Sequence, residues 1–171
     1  MDARLKSLVT LAGLGLLLIV AATWGWSSLT QPFPEGDGDA ICVDRTYAAG
    51  DRISRGDVTV SVLNAGTRNG LAGLTMNLFE EAGFAPGQEG NAPEDAKVGT
   101  VQIWTEDRTA PAVRLVASHL GKDVRVVRRA PSTAGIQVVV GDGFEDLVAG
   151  KKSIRTRGEV TVCGPPTDAV G

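Results

Sequence analysis

The sequence predicts an α+β fold, a two-layer sandwich with the element order βαββαβ and one added strand. Apolar residues recur at every second position over 58–62 and at every third or fourth position over 71–82. Alternation is typical of a strand, and the longer period is typical of an amphipathic helix. The same change of period recurs between 101–104 and 113–120, where Pro111 favours a helix start. The chain therefore contains two strand–helix units.

Each element of this core has its own pattern and boundary. Gly83 ends the first helix, whose buried face is predicted to hold Leu71, Leu74, Leu78 and Ala82. Because crossover connections are right-handed and the middle strands pair as a hairpin or in a split arrangement, a ferredoxin-like, split βαβ topology is favoured, with both helices on one face. The expected order is strand 58–63, helix 70–82, short strand 84–89, strand 100–105, helix 110–120, strand 123–129 and strand 135–141.

Short segments and two cysteines flank the core. A short strand is expected at 40–43, a turn at 49–51 and a terminal strand at 158–163. Outside the cytoplasm, Cys42 and Cys163 are most simply one disulfide, two unpaired thiols being the alternative. The bridge would close a loop of about 120 residues, worth on the order of 4 to 5 kcal/mol of chain entropy. It requires the terminal strand to return beside Cys42.

The amino-terminal segment 7–26 is a run of 20 residues without a charge. As a helix it spans roughly 30 Å, the thickness of the bilayer hydrocarbon. Arg4 and Lys6 precede it, so the positive-inside rule predicts a cytoplasmic amino terminus and an extracytoplasmic remainder. Trp24 and Trp26 suit the outer interface. The sequence therefore predicts a single-pass anchor in the plasma membrane.

A cleaved signal peptide is the alternative, because Val20-Ala21-Ala22 is an acceptable cleavage site. In the linker, the spacing of Glu35, Asp37 and Asp39 suits a calcium loop, but the glycine and glutamate positions of such a loop are occupied by Ala40 and Thr46. No metal is expected there. With the anchor retained, the chain comprises a cytoplasmic tail 1–6, transmembrane helix 7–26, linker 27–40, extracytoplasmic domain 41–164 and disordered tail 165–171.

A longer motif joins the first strand to the first helix. Residues 60–73 read V-x-V-L-N-x-G-x-x-x-G-L-A-G, and Ala82-Gly83-Phe84, Gly90-Asn91-Ala92, VQIW (101–104) and VVVGDGF (138–144) follow. Together, over roughly 58–147, they resemble the LytR carboxy-terminal domain. That resemblance implies an accessory module of actinobacterial and other Gram-positive envelopes, found alone behind a membrane anchor or appended to LytR-CpsA-Psr enzymes. It implies no defined catalytic activity.

Charge and motifs exclude several function classes. Residues 27–171 carry 15 Lys and Arg against 19 Asp and Glu, and a mildly acidic domain is a poor nucleic-acid partner. No G-x-S-x-G or S-x-x-K motif supplies a nucleophile. His119, the single histidine, is expected to be a surface or half-buried structural residue, and with two cysteines it leaves a zinc ligand set incomplete unless carboxylates join. We therefore predict no catalytic residue, no cofactor and no metal.

Two groups of residues are candidates for binding. Asn64, Gly66, Gly70 and Gly73 form a glycine-rich corner whose spacing does not fit dinucleotide binding. Gly66 is expected to supply an unusual turn conformation and Gly73 a close approach of helix and sheet. Two interpretations remain open: the corner is purely structural, or its amides accept the phosphate of a polyprenyl or polysaccharide ligand.

The second group is a run of cations just past the core, expected to form a flexible basic loop. Its members are Lys151, Lys152, Arg155 and Arg157. The loop either is solvated or contacts an anionic polymer or lipid head groups. The predicted function is a non-enzymatic, membrane-anchored envelope protein that binds wall glycopolymer or an envelope-assembly protein, including LytR-CpsA-Psr type enzymes. The alternative is a small hydrolase or transferase acting on lipid-linked glycans.

Overall fold

The computed structural model describes residues 12–21 and 41–166. The chain divides into two units, Met1–Asp39 and Ala40–Gly171. In the first unit, residues 12–21 form helix α1. Within the two described ranges, no helix combines the length and the apolar character that crossing a membrane requires.

Several predicted segments fall outside these ranges. The predicted anchor 7–26 coincides with α1 over 12–21 and extends beyond the described residues on both sides. The predicted tail 1–6 and linker 27–40 lie wholly outside them, and the predicted tail 165–171 does so from residue 167.

A five-stranded sheet and two helices form the centre of the second unit. The strands lie in the order β4-β3-β7-β5-β6, and two further strand pairs, β1-β9 and β2-β8, lie outside this sheet. A short 3-10 helix covers Arg55–Asp57. The elements are β1 (Val43–Tyr47), β2 (Arg52–Ser54), β3 (Thr59–Asn64), α2 (Leu71–Glu81), β4 (Ala85–Asn91), β5 (Val101–Thr105), α3 (Pro111–Ala117), β6 (Arg125–Arg128), β7 (Ile136–Val140), β8 (Ser153–Arg155) and β9 (Val160–Gly164).

The strand order corrects the predicted topology. Strands β3 and β4, joined through α2, are parallel neighbours, and so are β5 and β6, joined through α3. Strand β7 lies between the two units, parallel to β3 and antiparallel to β5. A split, ferredoxin-like arrangement would separate the strands of each unit, so that prediction is wrong. The reason lies in β7, whose Val138, Val139 and Val140 are all buried and favour a central position.

Both helices pack on one face of the sheet, as predicted. Val60, Val62, Ile103 and Val138 from alternate positions of three strands share one apolar cluster with residues of both helices. The helical members of this cluster are Leu71, Ala72, Met76, Phe79, Ala112, Val113, Leu115 and Val116. The opposite face carries a smaller cluster of Leu63, Val98, Trp104 and Val139. The α+β class is therefore confirmed, with two strand–helix units sharing one core.

Helix α2 presents a different face from the predicted one. Leu74 is 59% exposed, whereas Met76 and Phe79 are each 1% exposed. The apolar spacing of Leu71, Leu74 and Leu78 also fits a helix, but the contacts with β3 and β4 select the stripe that includes Phe79. The predicted buried face was therefore wrong at Leu74.

The disulfide and the terminal strand are as predicted. Cys42 and Cys163 are bonded, with their Cα atoms 5.4 Å apart, and they are separated by 121 positions in sequence. Strand β9 runs antiparallel to β1, with Asp44 opposite Cys163. The bridge therefore joins the residue before the first strand of the second unit to the last strand of that unit. Strand β1 lies at Val43–Tyr47 and not at the predicted 40–43.

The predicted flexible basic loop is partly a strand. Arg155 belongs to β8, which pairs antiparallel with β2, so that Ile53 lies opposite Ile154. Thr156, 4% exposed, donates its backbone N–H to the Asp51 carbonyl at 2.9 Å. A three-residue strand with one apolar residue leaves no periodic pattern, so its sequence did not indicate the pairing.

Candidate functional site

The glycine-rich corner begins where β3 ends. The Asn64 side chain accepts a hydrogen bond from the Gly66 N–H at 2.8 Å and donates one to the Arg68 carbonyl at 2.8 Å. This pattern is an Asx turn, which redirects the backbone locally. Asn64 therefore stabilises the turn through both the oxygen and the nitrogen of its side-chain amide.

Asp142, which follows β7, occupies the amides of the same corner. Its carboxylate accepts hydrogen bonds from the N–H groups of Thr67 and Arg68 at 2.8 and 3.1 Å, and from the Thr67 hydroxyl at 3.0 Å. The hydrogen bond from the Arg68 N–H, followed by that from the Thr67 hydroxyl, lowers the pKa of Asp142 below its ordinary value. The corner is thus held by an anion of the protein itself.

The glycines of the corner serve different purposes. A Cβ on Gly66 would lie 2.3 Å from Asp142 Oδ1, so Gly66 makes room for the carboxylate. The predicted special turn conformation belongs instead to Gly70, whose φ of 74° is left-handed and precedes the first residue of α2. A Cβ on Gly73 would lie 2.9 Å from Glu89 Oε2, so Gly73 allows the expected approach of α2 to β4.

These contacts bear on the phosphate interpretation of the corner. A shallow cleft of about 280 Å³ lies beside it, lined by Asn64, Gly70, Ala72, Gly73, Glu89, Gly90 and Asn91. The carboxylate of Glu89 lines this cleft. The carboxylate of Asp142 already accepts the hydrogen bonds of the neighbouring backbone N–H groups. Two negative charges repel an incoming phosphate. The geometry therefore favours the structural interpretation of Asn64, Gly66, Gly70 and Gly73.

Sequence reasoning missed the role of Asp142, although its motif was visible. Gly141 and Gly143 flank it, and a Cβ on Gly141 would lie 1.9 Å from the Val98 carbonyl oxygen. The Gly141 N–H donates to the Thr100 carbonyl at 2.8 Å. These close approaches press the turn after β7 against the segment before β5. The G-D-G sequence was therefore a signal of a tight turn at Asp142, and the partner of its carboxylate was visible only in the structure.

The basic run divides in two. The backbone of Lys151 is held by Ser118 and His119: its N–H donates to the Ser118 hydroxyl at 3.0 Å, and its carbonyl lies 3.0 Å from His119 Nε2. Lys151 and Lys152 have exposed side chains. Arg155 and Arg157 line a different part of the surface. The structure therefore brings only two of the four predicted cations into one recess.

That recess is a groove of about 610 Å³ that contains four arginines. Arg155 and Arg157 on one side meet Arg108, in the loop before α3, and Arg114, on α3. We call this set the arginine groove. All four arginines are exposed. The remaining lining residues are Asp107, Thr109, Ala110, Pro111, Gly158 and Val160.

Most of these guanidinium groups are available to a ligand. Arg155 Nη1 donates to the Gly50 carbonyl at 3.0 Å. Within residues 12–21 and 41–166, no carboxylate pairs with an arginine of the groove, and the ion pair found there joins Arg129 to Asp95 at 3.4 Å. Arg108 and Arg114 lie more than 40 positions from Arg155 in sequence. No local sequence pattern therefore predicts that these arginines line the same groove.

Asp107 is the acidic residue at the rim of the groove. Its Oδ1 accepts hydrogen bonds from the Thr109 N–H at 2.8 Å and the Thr109 hydroxyl at 2.6 Å. The hydroxyl contact, then the backbone contact, lowers the pKa of Asp107 below its ordinary value. Asp107 therefore holds the turn that carries Arg108.

His119 is buried, contrary to the prediction of a surface or half-buried residue. It is 3% exposed, and its ring packs edge-on against Phe84 with centroids 5.1 Å apart. Because a carbonyl only accepts, Nε2 donates to the Lys151 oxygen. His119 therefore packs in the interior, in agreement with the expectation of a structural residue. In the part of the chain that the structure describes, no cluster of three His, Cys, Asp or Glu residues is placed to hold a metal ion.

A second cationic recess lies at the other end of α3. It has a volume of about 480 Å³ and lies where β5 and β6 begin. Its charged lining residues are Lys97, Lys122, Arg125 and Asp123. Two of its three cations are lysines, which makes it less suited to planar, two-pronged anion contacts than the arginine groove.

Comparison with known proteins gives the family. No curated protein matches the sequence. The chain is similar to the soluble domain of a conserved hypothetical secreted protein from Mycobacterium marinum, with 20% identity, 61% of this chain and 80% of that chain covered, and a TM-score of 0.42. The sequence model described as LytR cell envelope-related transcriptional attenuator matches residues 57–144, just over half of the 171 residues. This range contains β3 to β7, both helices of the core and Asp142. The chain therefore belongs to the LytR cell envelope-related family.

Proposed function

We propose that the chain is a non-enzymatic, membrane-anchored protein of the cell envelope whose extracytoplasmic domain binds wall glycopolymer or an envelope-assembly protein, such as a LytR-CpsA-Psr type enzyme. Membership of this family supports a location in the cell envelope. The observation that carries the location is the Cys42–Cys163 disulfide, because such bridges persist in oxidising compartments. The uncharged segment 7–26 behind Arg4 and Lys6 supports a single-pass anchor in the plasma membrane.

A binding role is better supported than catalysis. The single histidine of the chain, His119, is buried and its Nε2 donates to a backbone carbonyl. Exposed cations, in contrast, are held close together on the domain at the arginine groove. Of the two predicted binding groups, the basic one is therefore favoured over the glycine-rich corner. Of its members, Arg155 and Arg157 are the stronger candidates and Lys151 and Lys152 the weaker.

The proposal is tested in cells and with purified walls. We expect the full chain to migrate as the disulfide-bonded form on non-reducing gels when free thiols are blocked before lysis. We also expect the full chain to sediment with purified cell walls, or to be crosslinked in intact cells to an envelope protein. Reduced cysteines labelled only after the cytosolic side is opened would contradict the location, and failure of both binding assays would contradict the function.

A further inference from the structure

The arginine groove concentrates positive charge on a domain that is otherwise acidic. Residues 27–171 carry more Asp and Glu than Lys and Arg, yet four arginines and one aspartate line this groove. The Asp107 carboxylate offsets one of these four positive charges, so the groove keeps a net positive charge. Arg155 donates to a neutral carbonyl and keeps its charge. A recess of one sign of charge attracts ligands of the opposite sign.

The composition of the groove indicates the chemistry of its ligand. All four cations are arginines, whose planar guanidinium groups donate paired hydrogen bonds to phosphate. They come from three separate segments: the loop before α3, α3 itself, and the segment that includes and follows β8. The groove volume of about 610 Å³ falls within the range of roughly 300 to 1000 Å³ that ligand pockets occupy. Several cations spread along one groove suit several anions on one chain.

A lipid surface fits the groove less well. Peripheral membrane binding is strengthened by apolar side chains that insert beside basic ones. The large exposed apolar residues of the described part of the domain are Val43, Leu74 and Val148, and none of them lines the groove. The recess is also concave, whereas a bilayer presents a broad surface.

We propose that the arginine groove binds a chain of phosphodiesters, as found in a phosphate-bearing glycopolymer, through Arg108, Arg114, Arg155 and Arg157. This inference rests on the proposed function, since it names the site and the chemical class of the glycopolymer that the domain binds. Arg108 and Arg114 are added to the cations that the sequence singled out, and Lys151 and Lys152 lie outside the groove.

The test uses the full chain in detergent and an oligomer of poly(glycerol phosphate) as the probe. We expect the R108Q/R114Q/R155Q/R157Q variant to bind it about tenfold or more weakly than the unaltered chain, since each lost charge-assisted contact lowers affinity. The matched control K97Q/K122Q/R125Q/R128Q removes the same charge from exposed positions outside the groove. Three of these positions line the other cationic recess. The control should bind within about threefold of the unaltered chain, because that recess lacks the cluster of guanidinium groups.

A third variant, R108K/R114K/R155K/R157K, preserves the charge and so keeps the comparison valid if the glutamine variant unfolds. We expect it to bind less tightly than the unaltered chain, because lysine lacks the planar fork. Equal binding by the arginine and lysine forms would overturn the assignment of guanidinium recognition. Equal binding of polygalacturonate, a carboxylate polymer, would overturn the assignment of phosphate.

Two further outcomes separate this inference from the function on which it rests. If the glutamine variant still sediments with cell walls like the unaltered chain, the groove is not the site and the inference fails, while the proposed function stands. If the unaltered chain binds vesicles of phosphatidylglycerol and phosphatidylcholine but not poly(glycerol phosphate), the ligand is a lipid and the inference also fails. Failure of the unaltered chain in both the wall and the crosslinking assays rejects the function itself.

Discussion

A single carboxylate links the end of β7 to the loop between β3 and α2. Asp142 accepts three hydrogen bonds from Thr67 and Arg68, and Gly66 leaves the space for it. Backbone amides at such a turn form a ready anion site. In this protein the anion comes from 75 positions further along the chain, so the contact ties distant segments together.

The pKa of Asp142 makes this contact sensitive to pH. Since hydrogen bonds hold the folded-state pKa below the ordinary value, ionised Asp142 stabilises the fold above the unfolded pKa of about 4. That stabilisation is lost as the pH falls through the folded pKa. We expect Asp142→Asn to be less stable than the unaltered protein at about pH 6, with the difference narrowing toward about pH 3.

Urea unfolding midpoints across this range measure the effect. The control is Asp44→Asn, an exposed aspartate whose carboxylate accepts no hydrogen bond among the described residues, and it should change the midpoint little at any pH. A deficit of the Asp142 variant that stays constant with pH would show that the carboxylate charge has no part in the contact.

At the scale of elements, helix α2 shows how packing chooses between two apolar faces. Phe79 is buried against Phe84, with ring centroids 5.5 Å apart, while Leu74 on the same helix faces solvent. Both residues fit a helical period, and only the position of the sheet distinguishes them. Tertiary contacts also determine the strand pair β2-β8. Ile154 is the one apolar residue of β8, so the sequence of β8 has no pattern that predicts a strand.

Substitutions on the two faces of α2 should differ sharply in effect. We expect Phe79→Ala to lower the free energy of unfolding by about 3 to 5 kcal/mol, through lost burial and the cavity left behind. Leu74→Ala should change it by no more than about 0.5 kcal/mol, because the side chain is already hydrated. Urea denaturation of both variants measures the two values. Similar losses for Phe79 and Leu74 would contradict the observed orientation of the helix.

For the whole molecule, one covalent bond connects the two ends of the folded unit. The disulfide joins the residue before β1 to a residue of β9, and those strands pair outside the central sheet. Closing a loop of this length restricts the unfolded chain far more than the folded one. The bridge therefore stabilises the unit by lowering the entropy of its unfolded state.

Removing the bridge should lower stability without changing the fold. We expect Cys42→Ser with Cys163→Ser to reduce the free energy of unfolding by about 2 to 5 kcal/mol. The unaltered protein in dithiothreitol should show the same loss, which serves as the control for the substitutions. Chemical denaturation with and without reductant measures both, and unchanged stability after reduction would contradict a stabilising role.

Local pattern was sufficient for most elements of this molecule. The alternation of Val60 and Val62, the stop at Gly83 and the proline at position 111 placed strands and helices within a few residues of their observed ends. The pairing of Cys42 with Cys163 followed from their positions around the core. The sequence thus determined the α+β class, the order of the core elements, the family and the covalent closure, because each depends on residues that are near in sequence or few in number.

Tertiary structure decided the rest, because it depends on contacts between segments that carry no common pattern. The insertion of β7 between two unsplit units, the rotation of α2 toward Phe79 and the burial of His119 each follow from which faces find apolar partners. Surface charges have no period, so the meeting of Arg108 and Arg114 with Arg155 required the folded chain. Elements are encoded locally, whereas the arginine groove arises only where distant segments are brought together.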